Sequence, residues 1–264
     1  MSEQPAISLS GVGKMYKVFN SRFDSCIDAL GFRRFVPWRR VNHREFWALR
    51  GVDLEVPVGR RFGIIGCNGA GKTTLLKLIT GNFPPTEGSL AVRGRVHALM
   101  TTGAGFHPEF TGRQNIEASL IYQGLSPQRI ADAIQEIADF TELETFLDQP
   151  FKTYSAGMQA RLTFATATTL TPDILIIDEI LGAGDGYFIA KSTERITRLV
   201  KETGDTVLLV SHALDQTVRF CEETIWLDRG RIVRRGPTLE VVKAYEQFLR
   251  VRNERRLKAK NRMV

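Results

Sequence analysis

Cysteine is scarce in this chain of 264 residues: there are three, Cys26, Cys67 and Cys221. Odd in number and far apart, they suggest neither a disulfide framework nor a metal-ligand spacing. No apolar run approaches the roughly 18 residues that a membrane-crossing helix needs. The start, Met1-Ser2-Glu3-Gln4-Pro5, lacks the charged-then-apolar pattern of a secretory signal. No Asn-Lys-x-Asp motif for reading guanine is present. These absences lead to the expectation of a cytoplasmic protein for which any work at a membrane needs a partner.

What is present fits a globular core: 43% hydrophobic and 25% charged residues. The formal charge of +7 is uneven. Residues 14–50 hold nine Lys/Arg against three Asp/Glu, and residues 248–264 hold seven against one. Each segment is therefore +6 and the remainder is negative, which weakens a global nucleic-acid reading. Two local basic patches suit an acidic surface such as anionic lipid headgroups.

The chain is organised around Gly66-Cys67-Asn68-Gly69-Ala70-Gly71-Lys72-Thr73-Thr74, which follows the apolar run Phe62-Gly63-Ile64-Ile65 and precedes Leu75-Leu76-Lys77-Leu78-Ile79. Strand, glycine turn and helix in that order, with Gly-Lys-Thr at this spacing, fit a phosphate-binding P-loop. Glycines let several backbone N–H groups converge on one point, and the helix aims its positive end there. Lys72 adds a full charge for the β- and γ-phosphates, and the Thr73 hydroxyl suits Mg²⁺. Cys67 lies inside the loop, where alkylation can block nucleotide; it also reads simply as a small residue. Tyr16, upstream of the loop, reads either as a ring that stacks on adenine or as an ordinary core or surface tyrosine.

Downstream, residues from about 113 to 170 have a helical pattern and read as a helical lobe inserted into an α/β core. Ser126 suits an N-cap with Pro127 following, and Ile130, Ala133, Ile134, Ile137 and Phe140 recur at helical spacing. The lobe ends in Tyr154-Ser155-Ala156-Gly157-Met158-Gln159, a small-residue turn that opens a helix and forms a second anion-binding end. Asp173 to Asp178 then read as a buried parallel strand ending in Asp178-Glu179, where ligands bind in such sheets. Asp178 can hold Mg²⁺ through water, and Glu179 can activate an attacking water. Thr206 to Val210 form another buried strand, with His212 at its end in reach of a γ-phosphate. Strands at about 223–228 and 231–235 precede Gly236-Pro237-Thr238, where the last helix begins.

Taken together and in this order, the P-loop, Ser155 to Gln159, Asp178-Glu179 and His212 resemble the ATP-binding subunit of an ABC transporter over about residues 6–240. The resemblance implies an α/β P-loop ABC ATPase core with a small antiparallel β subdomain and an inserted α-helical subdomain. It implies ATP and Mg²⁺ as cofactors, Gly66 to Thr74 as the phosphate loop, Thr73 and Asp178 at the metal, and Glu179 and His212 as catalytic residues. Ser155, Ala156, Gly157, Met158 and Gln159 are then the signature that completes the ATP site of the opposite protomer in a homodimer. Tyr154-Ser155-Ala156-Gly157-Met158, the stretch Gly103 to Glu109 and the stretch Glu179 to Asp185 are similar to the group that exports O-antigen, capsule and teichoic acid. The implied work is ATP-driven export of a lipid-linked polysaccharide, with two integral membrane permease subunits as partners, at the cytoplasmic face of the bacterial inner membrane.

Three departures from the family pattern stand out. No glutamine lies in 100–113, where the loop that senses the membrane subunit normally carries one; counting back from Asn115 reaches Thr102, and the role falls to no residue. Ala156 replaces a serine or glycine. About 25 residues follow Thr238, so residues 241–264 read as a basic helix or tail, and no carbohydrate-binding domain is expected. The basic-aromatic insert, about 18–47, carries Arg33-Arg34-Phe35-Val36-Pro37-Trp38-Arg39-Arg40. It suits a membrane-water boundary or a solvated loop packed on the core. The competing class is an ABC ATPase acting on DNA or ribosomes. The single cassette and the short span between P-loop and signature argue against it, and no nucleic-acid partner is expected.

Overall fold

A computed structural model describes residues 4–19, 43–100, 105–169, 172–178, 186–203, 206–211 and 213–261. Most of the basic-aromatic insert, residues 101–104, Glu179 and His212 lie outside the described residues.

Two sheets share one core. The smaller is antiparallel, with β2 (His43–Val56) and β4 (Glu87–Val92) on either side of β1 (Ile7–Phe19). The larger runs β5 (Val96–Met100), β6 (Ile174–Asp178), β7 (Thr206–Val210), β3 (Arg61–Ile65), β8 (Glu223–Asp228), β9 (Arg231–Pro237). Its strands are parallel except for the β8–β9 pair. Ile7, Leu9, Leu49 and Leu54 of the small sheet pack with Phe62, Ile64, Ile176 and Leu208 of the large one, and with Leu75 and Leu76 of helix α1 (Lys72–Ile79). The next residue along each central strand faces the opposite layer: Leu175, Ile177, Val207 and Leu209 pack with Phe164 and Phe188. Burial on both faces explains why these strands read as unbroken apolar runs.

Strand character at the N-terminus extends further than the alternation at 6–10 suggests. β1 continues to Phe19 and pairs it with His43, so the insert rises from the end of a long two-stranded ribbon. Register shifts between Leu9 and Met15 break the period of two. The outer part, with Val18 and Phe46 about half exposed, lacks a core-facing side to mark it.

The helical lobe has a core of its own. α2 (Gly112–Tyr122), α3 (Pro127–Thr141) and α4 (Ala156–Ala167) meet through Ile116, Leu120, Ile130, Ile134, Ile137 and Leu162. The 3.6-residue pattern in α3 lands as expected: Ile130, Ala133, Ile134 and Ile137 are all buried. Thr111 and Gln114 close a reciprocal capping box that starts α2. The lobe leans on α5 (Gly186–Thr203) through Phe140, Phe164 and Phe188, with the Arg195 guanidinium 4.5 Å from the Phe140 ring centre. α6 (Leu214–Phe220) and α7 (Thr238–Asn261) complete the chain. Among the described residues, no helix is long and apolar enough to cross a membrane.

Candidate nucleotide site

The P-loop leaves β3 in the middle of the large sheet. Gly66, Gly69 and Gly71 all have positive φ, at 156°, 78° and 108°. Two of the three are also boxed in. A Cβ at Gly66 would sit 2.2 Å from the Leu227 carbonyl oxygen, and one at Gly71 would sit 2.7 Å from that of Ala48. The loop is further tied by Gly230 N–H donating to the Ala70 carbonyl at 2.8 Å, and by Arg50 N–H donating to the Gly230 carbonyl at 2.9 Å. The sequence did not mark Gly230. Its φ is 76°, and a Cβ there would meet the Ala48 carbonyl at 2.5 Å.

The loop opens α1 with an electrostatic imbalance. Its N-cap is Gly71, with no side-chain cap bond, and there is no acidic residue in the first turn. The helix's positive end is therefore left for an anion from outside. Lys72 is buried, and its Nζ donates to the carbonyls of Gly66 at 2.8 Å and Cys67 at 3.3 Å, holding its charge across the loop. Asn68 and Gly69 form the exposed crown, Ala70 is buried beneath it, and Thr73 is exposed on the first helical turn beside Thr74.

Sheet register brings Asp178 to this edge. Ile64 lies opposite Val210, and Val210 lies opposite Asp178. The backbone of Asp178 is thus level with the end of the P-loop strand and two strands away, about 10 Å at ordinary strand spacing. Oxygen donors such as the Thr73 hydroxyl and a carboxylate at 178 match the chemistry of a hard cation such as Mg²⁺. Among the described residues no cluster of three His, Cys, Asp or Glu side chains forms a metal cage. In the sequence Glu179 comes next after β6 and His212 two residues after the end of β7, both outside the described residues.

The serine-glycine turn sits on the helical lobe. Ser155 caps α4, its Oγ accepting from Met158 N–H at 3.2 Å. Ser155 and Ala156 are exposed. A Cβ on Gly157 would meet only Ser155 Oγ, at 3.9 Å. Met158 packs toward the lobe core, and the Gln159 amide donates inward to the carbonyls of Phe151 and Tyr154. Within this turn, then, Ser155 to Gly157 face outward while Met158 and Gln159 shape it from beneath. Tyr154 is buried and anchors the turn through its hydroxyl, which donates to the Phe146 carbonyl at 2.6 Å.

Tyr16 stands on the outer half of β1. Phe83 meets it edge-on at 6.1 Å, and Lys14 Nζ lies 5.9 Å from its ring centre. Tyr16 is 37% exposed.

One residue that the sequence used only as a counting mark does structural work. Asn115 is 2% exposed. Its Nδ2 donates to the carbonyls of His107, Phe110 and Thr111, and its Oδ1 accepts from His107 N–H at 2.6 Å. This one amide folds the loop 105–111 against α2. Asn115→Ala is expected to destabilise the fold by about 2–3 kcal/mol, since each buried polar group left without a partner costs about 1–3 kcal/mol. Denaturant unfolding measures the loss, and faster proteolytic nicking at 105–111 locates it.

A glycine loop on a parallel sheet, an uncapped helix with a buried lysine, and a separate helical lobe carrying an exposed serine-glycine turn define a two-lobed P-loop nucleotide-binding cassette. The family model described as ABC transporter matches residues 49–182, and the chain belongs to that family. It is 36% identical to the O-antigen export system ATP-binding protein RfbB of Klebsiella pneumoniae, over 93% of this chain and 99% of that one. It is 48% identical to the protein of the same name from Myxococcus xanthus, over 76% of this chain and 46% of that one. With the teichoic acids export ATP-binding protein TagH of Bacillus anthracis the identity is 36%, over 94% of this chain and 44% of the relative. The chain thus spans less than half the length of the last two relatives. Among solved structures, a dimeric bacterial ABC transporter cassette superposes with a TM-score of 0.71 at 25% identity, covering 88% of this chain and 98% of the other.

Proposed function

We propose that this chain is the ATP-hydrolysing subunit of an exporter that moves a lipid-linked polysaccharide across the bacterial inner membrane. The observation that carries this reading is the match to the Klebsiella pneumoniae export protein along nearly the whole of both chains. In this reading the site residues divide the nucleotide chemistry among them. Gly66 to Thr74 bind the triphosphate, with the uncapped α1 and Lys72 supplying positive charge. Thr73 and Asp178 would hold Mg²⁺, which would supply neutralisation of phosphate charge. Glu179 orients and activates water, and His212 contacts the γ-phosphate. Tyr16 stacks on adenine. The signature residues Ser155 to Gln159 present an outward turn to the nucleotide of a second copy, so that each homodimer site takes one half from each protomer.

The permease subunits need a surface on this chain. A cleft of about 720 Å³ lies between β5 and the end of α2, lined by Arg95, His97, Phe106, Tyr122 and Gln123 among others. Tyr122 is 93% exposed and the neighbouring Ile121 63%. Apolar side chains so exposed at the rim of a cleft suit a partner protein. Burial holds the His97 imidazole below its ordinary pKa, so it is neutral at pH 7 and matches an apolar partner. In this reading the chain docks there as a peripheral subunit at the cytoplasmic face of the membrane.

The test uses the Glu179→Gln form, tagged and isolated from its own membranes with ATP. Its hydrolysis rate is expected to fall by about 100-fold or more, in line with loss of a general base, while ATP binding persists. A multi-span membrane protein and a glycolipid are expected to come with it. Ribosomes or DNA, without a membrane protein, would overturn the export reading.

A further inference from the structure

The last helix does more than close the sheet. α7 begins with the buried Thr238 hydroxyl bonded to that of Thr224 on β8, 2.8 Å apart. It then lays Val241, Val242 and Tyr245 over Ile65 and Trp226. These two residues are register partners on β3 and β8, so α7 covers the strand pair that feeds the P-loop. Trp226 is ringed from the helix side by Tyr245 at 5.4 Å and Phe248 at 4.9 Å.

Beyond that cover, α7 reaches the loop itself. Tyr245 Oη lies 3.4 Å from Cys67 Sγ, and the Arg252 guanidinium abuts the same sulfur as a donor. Positions 245 and 252 are two turns apart on one helical face, roughly 10 Å along the axis. Burial pushes the Tyr245 phenol well above its ordinary pKa, so it stays a neutral hydroxyl. Beside these contacts a cleft of about 880 Å³ separates α7 from the loop crown, lined by Cys67, Asn68, Gly69, Arg229, Gln247 and Arg252 among others. Around that cleft, the contacts that pin the loop to the second half of α7 converge on one side chain.

Cys67 is therefore held from two directions. Its side chain is gripped by α7, and its carbonyl accepts from Lys72 Nζ, the group that must serve the phosphates. We infer that Arg252 and Tyr245 are positioning residues of the nucleotide site. They fix the second residue of the P-loop through Cys67 Sγ, so that ATP occupancy and the docking of α7 are coupled. The inference rests on the nucleotide reading of the P-loop and adds to it a second element, far along the chain, that sets ATP affinity. Coupling of this kind is reciprocal: if docked α7 favours ATP, ATP must favour docked α7 to the same degree.

The experiment reads both sides on the full chain. In the wild type, ATP is expected to slow amide hydrogen exchange across 246–254 several-fold. Arg252→Ala is expected to raise the Kd and the KM for ATP by about five- to tenfold, at the low end of measured couplings. Its kcat at saturating ATP is expected to stay within about twofold, and the effect of ATP on exchange in α7 to be lost. Arg252→Lys, which keeps a donor for the sulfur, is expected to recover part of the affinity. A merely structural helix would lose thermal stability without this split. ATP that binds the wild type yet leaves α7 exchange unchanged overturns the coupling, as does an unchanged Kd in Arg252→Ala. A wild type that binds no ATP at all overturns the nucleotide reading together with it.

Discussion

Gly71→Ala is expected to raise the Kd for ATP by at least about 100-fold. The backbone at 71 has φ 108°, a region costing an L-residue about 1–2 kcal/mol. That strain alone would be tolerable. The larger difficulty is space: the new methyl would lie 2.7 Å from the Ala48 carbonyl oxygen and 2.9 Å from Leu49 Cδ2. Leu49 is fully buried and its backbone is paired in β2, so neither neighbour can retreat. The loop has to move instead, and its N–H groups then no longer converge. A displacement of about 1 Å in a preorganised site is enough for a loss of this size. Equilibrium titration with ATP measures it, alongside thermal unfolding to show that the protomer remains folded. Wild-type affinity in this variant would mean that the loop geometry described above is not the one that binds nucleotide.

The opposite logic holds at Gly157, where Gly157→Asp is expected to leave the protomer at least as stable as before. Nothing but Ser155 Oγ lies within 4 Å of a Cβ there, at 3.9 Å. Glycine inside a helix costs about 0.5–1 kcal/mol relative to alanine, and a carboxylate in the first turn is favoured by the helix dipole. By its own protomer's physics this glycine is a poor choice. In the proposed homodimer, however, the turn meets the phosphates of the opposite copy, where a carboxylate adds like charge at close range. ATP turnover is therefore expected to fall more than about 100-fold, a size reached when one preorganised anion-binding element is lost. ATP binding by the isolated protomer should be unaltered. Steady-state ATPase assays and ATP titration separate the two effects. Full turnover in Gly157→Asp would exclude this turn from the nucleotide site.

The features that sequence reasoning found are those whose causes are local. The P-loop is a run of consecutive residues with its own backbone requirements. β3, β6 and β7 announce themselves because both faces are buried. α3 shows its apolar stripe at 130, 133, 134 and 137. What stayed hidden depends on partners far along the chain. Asn115 looks like any polar residue near a helix start until three carbonyls gather on its amide. Gly230 looks like a turn glycine until the Ala48 carbonyl proves to occupy the space of its side chain. Residues 241–264 read as a basic helix or tail, with no sign that Tyr245 and Arg252 on it will find Cys67. The outer half of β1 was obscured for another reason: with Val18 and, on β2, Phe46 about half exposed, no core-facing side marks it, and the register shifts before Met15 had already broken the alternation.

β3, the strand that launches the P-loop, finds both its sheet neighbours late in the chain. Gly59 just before it bonds Thr206, 147 residues on, and Arg61 on it bonds Glu222, 161 residues on. Contacts of such separation make folding slow, because a long loop must close before they form. During synthesis, the glycine loop leaves the ribosome well before β7, β8 and Gly230 exist to shape it. A nascent or truncated chain ending before Gly230 would carry the whole loop sequence without its working form. Competence to bind ATP thus marks a chain whose synthesis has passed Gly230, and nucleotide then stabilises only molecules that carry this far end of the sheet.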